Sequence, residues 1–305
     1  MNPVNRAIVA TLPLVPKAIV RRIASRYVAG ETLDEALATV AKLNAEGCMA
    51  TLDVLGEDVT RREETEQTVE AYARALQEIA ARRLDSNISV KLTALGLKLD
   101  PAECRRQFGR IVDAARSQGI FVRIDMEDSS VTEETIRIFL EFRERYEKTG
   151  LVLQAYLRRT VGDARRAAAV KANVRVCKGI YVEPPQIAFQ DPDEIRDSYA
   201  ATVDFLIDAG CYVGIATHDP LLAERARVTI ASRKLPREAY EFQMLLGVEE
   251  ELRSIVVADG RPMRVYVPYG ERWYEYSVRR LQENPRVAGY VTKALVQRVL
   301  HRDGR

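Results

Sequence analysis

Eight short apolar runs recur along the chain with stretches of helical period between them, and this alternation limits the fold more than any other feature. The runs are "CMATLDVLG", "ISVKLTALGL", "FVRIDMEDS", "LVLQAYL", "VRVCKGIY", "YVGIATHDP", "YEFQMLLGV" and "MRVYVPYG", starting near residues 48, 88, 121, 151, 174, 212, 240 and 263. Runs of this kind bounded by turn signals read as buried strands. Segments such as "RREETEQTVEAYARALQEIAARR" and "DEIRDSYAATVDFLIDAG" read as amphipathic helices, the second stopped at Gly210. Strand and helix repeated eight times predict an α/β chain whose parallel sheet closes into a (β/α)8 TIM-like barrel. An open doubly wound sheet is the alternative, but no run is followed by the GxGxxG turn that cradles a dinucleotide there. Without a low-complexity linker or Pro/Gly-rich hinge, the chain reads as one domain, with an N-terminal helical segment over 1–45 and a catalytic barrel over 46–305.

Composition narrows the function classes. With 305 residues, 47% of them hydrophobic and 30% charged, the chain is of ordinary soluble globular type. Its formal charge of +2 excludes capture of nucleic acid by charge alone. Cys48, Cys104, Cys177 and Cys211 show no CxxC spacing and read as reduced thiols of a cytoplasmic protein. No segment approaches the roughly 18 apolar residues that span a bilayer, and the apolar patch near the start lacks a cleavage site. Two basic amphipathic stretches, "VPKAIVRRI" and "TKALVQRVLHR", suit either contact with a membrane surface or packing on the barrel.

Barrel chemistry sits at the C-terminal strand ends. The runs place there Asp53 and Glu57, Lys91, Asp125 to Asp128, Gln154, Arg175 and Lys178, Thr217 to Asp219, Gln243, and Tyr266 with Tyr269. Taken singly, each reads as a solvated loop residue or a helix cap. Asp128, before two serines, is expected to be an N-cap, and His218 fits a satisfied buried histidine as well as a ligand. Taken together, Lys91, Asp125, Gln154, Arg175, Lys178 and His218 converge on one mouth, where burying so much charge without a ligand is costly. No metal is expected, because His218 and His301 are the only histidines and form no HxH or HExxH pair. A Schiff-base, class I aldolase-like enzyme using Lys178 or Lys91 stays open, as does a non-catalytic barrel for anionic ligands.

The stretch "GERWYEYSVRRLQENP" after the eighth run carries Arg279 and Arg280. Helical spacing puts Tyr276 between them on one face. They are either a solvated face, with Arg279 paired to Glu283, or a two-guanidinium clamp for a small acid.

In order, "SVKLTALGL", "RIDMEDS", "VLQAYLRRT", "RVCKGIYVEP", "GIATHDP", "EFQMLLGV" and "VYVPYGERWYEYSVRRLQENP" resemble bacterial single-function proline dehydrogenase, over residues 22–284. The resemblance implies a distorted barrel with extra N-terminal helices and a C-terminal helix over the mouth, holding FAD. It implies oxidation of L-proline to 1-pyrroline-5-carboxylate by hydride transfer to flavin N5, with electrons passed to a membrane quinone, as the first step of proline catabolism to glutamate. By motif, Asp125 and Arg175 take the catalytic roles. Lys91, Arg279, Arg280, Tyr266, Tyr276 and Leu245 hold the substrate. Met126, Gln154, Arg175, Lys178, Gly179, Ile180, Thr217, His218 and Glu283 contact FAD, and Glu57 pairs with Arg279 as a gate. The same resemblance implies a cytoplasmic enzyme, peripheral on the inner face of the cytoplasmic membrane, that hands its product to a separate pyrroline-5-carboxylate dehydrogenase. Where the family often reads VKGAY this chain has CKGIY, so by the resemblance Ile180 replaces a small residue close to the flavin and Cys177 sits beside Lys178.

Overall fold

The computed structural model describes residues 21, 25–274 and 276–277. Each apolar run overlaps a strand: β1 (Met49–Val54), β2 (Ser86–Val90), β3 (Val122–Ile124), β4 (Thr149–Gln154), β5 (Asn173–Cys177), β6 (Tyr212–Ala216), β7 (Tyr240–Leu245) and β8 (Met263–Tyr269). Consecutive strands pair in parallel, and β1 pairs with β8 through Met49 opposite Arg264 to Val54 opposite Tyr269. That last pairing closes the barrel and excludes the open doubly wound sheet.

The helices are α1 (Leu33–Ala45), α2 (Arg62–Ala81), α3 (Pro101–Gln118), α4 (Ser129–Arg145), α5 (Thr160–Ala169), α6 (Pro192–Asp208), α7 (Pro220–Ser232) and α8 (Glu250–Ala258). Three Asp-Pro pairs start α3, α6 and α7, with Asp100, Asp191 and Asp219 accepting from backbone N–H groups of the first turn while proline fills a position that needs no donor. Asp128 caps α4 through Ser130 N, as the sequence predicts. On α2 the buried set Thr65, Val69, Tyr72, Leu76 and Ile79 follows helical period and packs on the sheet. Gly210, at φ +73°, stands just past the end of α6.

Helix α1 is the described part of the 1–45 segment that lies in a regular element. It precedes β1 yet packs on both β1 and β8, burying Ala36, Leu37, Val40 and Leu43. The outer layer beside β8 is thus filled from the front of the chain. The polypeptide leaving β8 turns at Gly270 and starts a new helix in which Ser277 Oγ donates to Trp273 O at 2.6 Å. Tyr276 on this turn is buried against Val28 and Leu55 and reaches the barrel mouth.

Alternation along the strands sorts apolar residues outward and polar ones inward. Leu52, Ile88, Ile124, Leu151, Val174, Ile215, Phe242 and Val265 join the core shared with the helices. The opposite set meets inside the barrel at two levels. At the floor, Arg264 Nε reaches both oxygens of Glu241 at 2.9 and 3.0 Å, Tyr212 donates to Glu241 at 2.9 Å, and Arg123 donates to Asn173 O and Oδ1 at 2.7 and 2.6 Å. Two glycines make room for such long side chains. A Cβ on Gly150 would lie 2.6 Å from Arg123 Nη1, and one on Gly214 would lie 2.6 Å from Gln243 Nε2. Gln243 joins the levels, donating to Glu241 below and accepting from Arg175 Nε above.

Candidate active site

At the upper level β3 brings Asp125 to the centre of the mouth. Arg175 Nη1 from β5 donates to Asp125 Oδ1 at 2.9 Å, Ser89 from β2 donates to the same oxygen, and the Tyr266 hydroxyl from β8 donates to Oδ2 at 2.7 Å. Burial opposes the charge, but Arg175, Lys91 and the donor hydroxyls outweigh it and hold the Asp125 carboxyl below the usual carboxylate range. Asp125 is therefore an anion with its lone pairs committed, which suits orienting Arg175. Burial and the Asp125 charge keep the Tyr266 phenol well above its ordinary value, so it remains a donor. The Arg175 guanidinium also lies 5.3 Å from the Tyr266 ring centre.

Lys91 follows β2 and enters the same group. Its Nζ is 2.7 Å from Asp53, 3.6 Å from Asp125, 3.7 Å from Glu57 and 3.1 Å from the Tyr266 hydroxyl. Burial alone would lower its pKa, but the three carboxylates win and hold it well above the ordinary lysine value. A Schiff-base nucleophile needs the neutral amine. This environment works against that role, and the other candidate, Lys178, is ion-paired with Asp219 at 2.5 Å.

These groups line one end of a cavity of about 810 Å³. Its walls include Met126, Val152, Gln154, Cys177, Lys178, Gly179, Ile180, Thr217, His218, Met244, Leu245 and Tyr276, so the sequence-predicted site residues within the described part converge there, apart from Glu57, which is tied in through Lys91. Their local bonds fix several of them. Gln154 Nε2 donates to Glu127 O at 2.8 Å, Leu245 N donates to His218 Nε2 at 2.9 Å, and Asp219 N donates to Thr217 Oγ1 at 3.1 Å. Gly179 has φ +112°, and a Cβ there would sit 2.1 Å from the Tyr156 ring, so the backbone beside Lys178 can be held in this place only by glycine. Ile180 points partly into solvent, at 42% exposure. Arg279, Arg280 and Glu283 lie outside the described residues, as do the basic stretches at 15–23, except Arg21, and at 292–302. The gate pairing of Glu57 with Arg279 lies outside them too. Within them, Arg272 Nη1 donates to Glu57 O at 3.3 Å, tying the segment after β8 to the loop after β1.

Some strand-end residues serve elsewhere. Glu127 faces away from the cavity and accepts from Thr93 N at 3.0 Å and from its hydroxyl; burial pushes its carboxyl up to about 7. Asp128 is a cap paired with Lys98 at 2.8 Å, and Tyr269 is buried outside the cavity lining. Cys48, Cys104 and Cys211 are buried and Cys177 is half-buried, all as free thiols, with burial raising Cys104 to about 12 and Cys177 to about 11. Arg196 on α6 also lines the cavity. Nothing in the sequence separates it from the many surface arginines, since its partner Asp219 is distant along the chain.

Among known proteins, a family model described as proline dehydrogenase matches residues 36–293. The chain belongs to the proline dehydrogenase family. It is 36% identical over 289 residues to proline dehydrogenase 1 of Bacillus subtilis (strain 168), covering 94% of this chain and 96% of that one. It is 31% identical over 282 residues to the proline dehydrogenase of Deinococcus radiodurans, covering 90% of each. Among solved structures, proline utilization A (PutA) of Bdellovibrio bacteriovorus inactivated by N-propargylglycine matches with a TM-score of 0.80 and 25% identity. That match covers 87% of this chain but 33% of the longer PutA chain, so the present fold corresponds to about a third of it. Proline dehydrogenases are flavin-dependent. The cavity fits such a group: apolar walls from Met126, Val152, Met244 and Leu245 suit a flat ring, while Arg175 and Lys178 offer positive charge near it. Among the described residues no cluster of three or more His, Cys, Asp or Glu is placed to hold a metal ion, and no helix is long and apolar enough to cross a membrane.

Proposed function

We propose that this proline dehydrogenase oxidises L-proline to 1-pyrroline-5-carboxylate with FAD as its cofactor, as the first step of proline catabolism. One observation carries the reading: the relay of Lys91, Tyr266, Asp125 and Arg175 at the inner end of a cavity large enough for a flavin as well as a small substrate.

Tyr266, Tyr276 and Leu245 wall that inner end and suit the apolar ring of proline. The charge count then assigns the carboxylate. Lys91 and Arg175 face Asp53, Glu57 and Asp125, and burial raises the Asp53 carboxyl, so both described cations are already committed to acidic groups. Another carboxylate needs additional cations, and Arg279 and Arg280 stand three and four residues after Tyr276 in the sequence. Lys91 thus serves chiefly to keep three carboxylates compatible with an anionic substrate, while the twin arginines clamp it. Arg175, fixed by Asp125 and Gln243, presents a permanent charge at the inner end of the cavity. A bound flavin supplies the two-electron acceptor for the hydrogen leaving the carbon next to nitrogen.

That oxidation needs the free amine of proline. Lys91 and Tyr266 are both held above their ordinary values, so neither titrates near neutrality. Turnover therefore rises with pH until the bound amine is deprotonated. Transfer of electrons to a membrane quinone, peripheral contact of a cytoplasmic protein with the membrane face, and hand-over of product to a separate pyrroline-5-carboxylate dehydrogenase belong to the same proposal. The test is anaerobic mixing of the purified flavoprotein with L-proline. Loss of the flavin's visible absorbance with formation of the pyrroline product is expected, and unchanged absorbance overturns the reading.

A further inference from the structure

The cavity has a second charged centre, at its outer end. Asp219, the N-cap of α7, accepts at Oδ2 from Lys178 Nζ at 2.5 Å and from Arg196 Nε at 2.8 Å. Only 9% of the Asp219 side chain is exposed, whereas Lys178 and Arg196 keep 36% and 33% of theirs open. Burial opposes the Asp219 charge, yet the two cations hold its carboxyl down to about 2, so it stays anionic. Arg196 Nη1 also reaches Asp193 at 2.6 Å, but Asp193 is 85% exposed and its charge is screened by water. Around Asp219 the balance is two cations on one carboxylate, beside the positive end of the α7 dipole.

Such a triad is stiff. Asp219 fixes both cations at once, and the base of Lys178 is held because Tyr156 N donates to Lys178 O at 2.8 Å. A preorganised, half-open pair of cations is what a phosphate group selects. The inner centre offers the opposite environment: Arg175 is buried, with 8% of its side chain exposed, and committed to Asp125.

We infer that Arg196, together with Lys178, holds the diphosphate of the dinucleotide cofactor at the outer end of the cavity, with the flavin ring toward Arg175. This rests on the flavin reading above. The ring has to meet the substrate at the inner relay, and the diphosphate, the most strongly hydrated part, belongs where water and half-open cations remain. Arg196 is the discriminating residue of the pair: it contacts the phosphate-bearing half and leaves recognition of the ring untouched.

The experiment is a titration of the full-length chain with FAD, FMN and riboflavin, followed by quenching of flavin fluorescence, for the unaltered protein, Arg196→Gln and Arg196→Lys. Arg196→Gln should weaken FAD by about ten- to hundredfold, the loss of one charge-assisted hydrogen bond, and leave riboflavin unchanged. Arg196→Lys should restore part of the FAD affinity, and the inhibition constant of ADP, which carries the same diphosphate, should rise in Arg196→Gln by the same factor as the FAD dissociation constant. Equal FAD affinity in the unaltered protein and Arg196→Gln overturns the assignment. So does a fall in riboflavin affinity by the same factor, which would mark a general distortion of the cavity. If neither FAD nor riboflavin binds the unaltered chain, the flavin reading itself fails and this assignment fails with it.

Discussion

The floor and the mouth of this barrel hold buried ionic groups of the same kinds, joined through one glutamine, and they differ in what their last hydrogen bonds face. At the floor, Glu241 is enclosed by Arg264 and Tyr212, and Arg123 spends its Nη donors on Asn173 and on Leu151 O while its Nε is buried without a partner among the described residues, with every contact inside protein. At the mouth, Asp125, Lys91, Arg175 and Tyr266 satisfy one another on one side and line a cavity on the other. Buried charge is thus no mark of a site by itself, since both regions have it. What marks the site is a network closed on itself and still open to a space of ligand size.

Substitutions should separate the two regions. The largest effect is expected at the floor, where Glu241→Gln leaves Arg264 without its counter-charge. Loss of one partner of a buried pair costs about 3–5 kcal/mol, to be read from chemical denaturation, while proline turnover per folded molecule should change little. At the mouth, Asp125→Asn keeps the shape but removes the charge that orients Arg175. A fall of about a hundredfold in kcat/KM is expected, near 2.7 kcal/mol, in a protein that still melts cooperatively; unchanged kinetics would dissolve the distinction.

Glu127 offers a third contrast, a buried carboxyl without a cationic partner in hydrogen-bond contact. Its folded pKa of about 7 lies above the ordinary glutamate value of 4.5, so the folded state binds the extra proton. Stability from this group is full at pH below the unfolded value and is lost as pH rises toward 7. Lys91 opposes that rise and Glu57 adds to it. Glu127→Gln should abolish a slope of order 2 kcal/mol between acid and neutral pH, measured as the difference between variant and parent melts. Parallel curves for the two proteins would remove Glu127 from the account. The smallest change is Tyr266→Phe, which deletes one hydroxyl shared by Asp125 and Lys91 and should lower kcat/KM by about tenfold with little loss of stability.

The contrast also explains what could be read from the sequence. The eight runs revealed the barrel because apolar period survives any detail of pairing. Boundaries moved where polar or small residues pair first: β2 begins at Ser86 and β4 at Thr149, ahead of the apolar runs at 88 and 151. The positions to which the resemblance assigns catalytic or cofactor-binding roles, such as Asp125, Gln154, Arg175 and Lys178, lie together around one cavity at the mouth. Arg123 and Glu241, by contrast, occupy alternate strand positions that the sequence does not single out, yet they are 1% exposed, because the inner face of a closed barrel is out of water as well. Asp53, Ser89 and Gln243 support the site through partners on other strands, and Arg196 through Asp219. Those pairings arise only when the sheet closes.

Gly150 and Gly214 carry a consequence for anyone redesigning the barrel. Each missing side chain is matched to a long polar one that crosses the interior, Arg123 for the first and Gln243 for the second. Shortening the long partner alone opens a void, and enlarging the glycine alone forces a collision. At Gly214 the bore can therefore be rebuilt only by exchanging it together with Gln243, while a side chain at Gly150 would meet the Phe121 ring and Asn173 O as well as Arg123, so a dry, aliphatic version of this interior is separated from the present one by steps that are each unfavourable when taken singly.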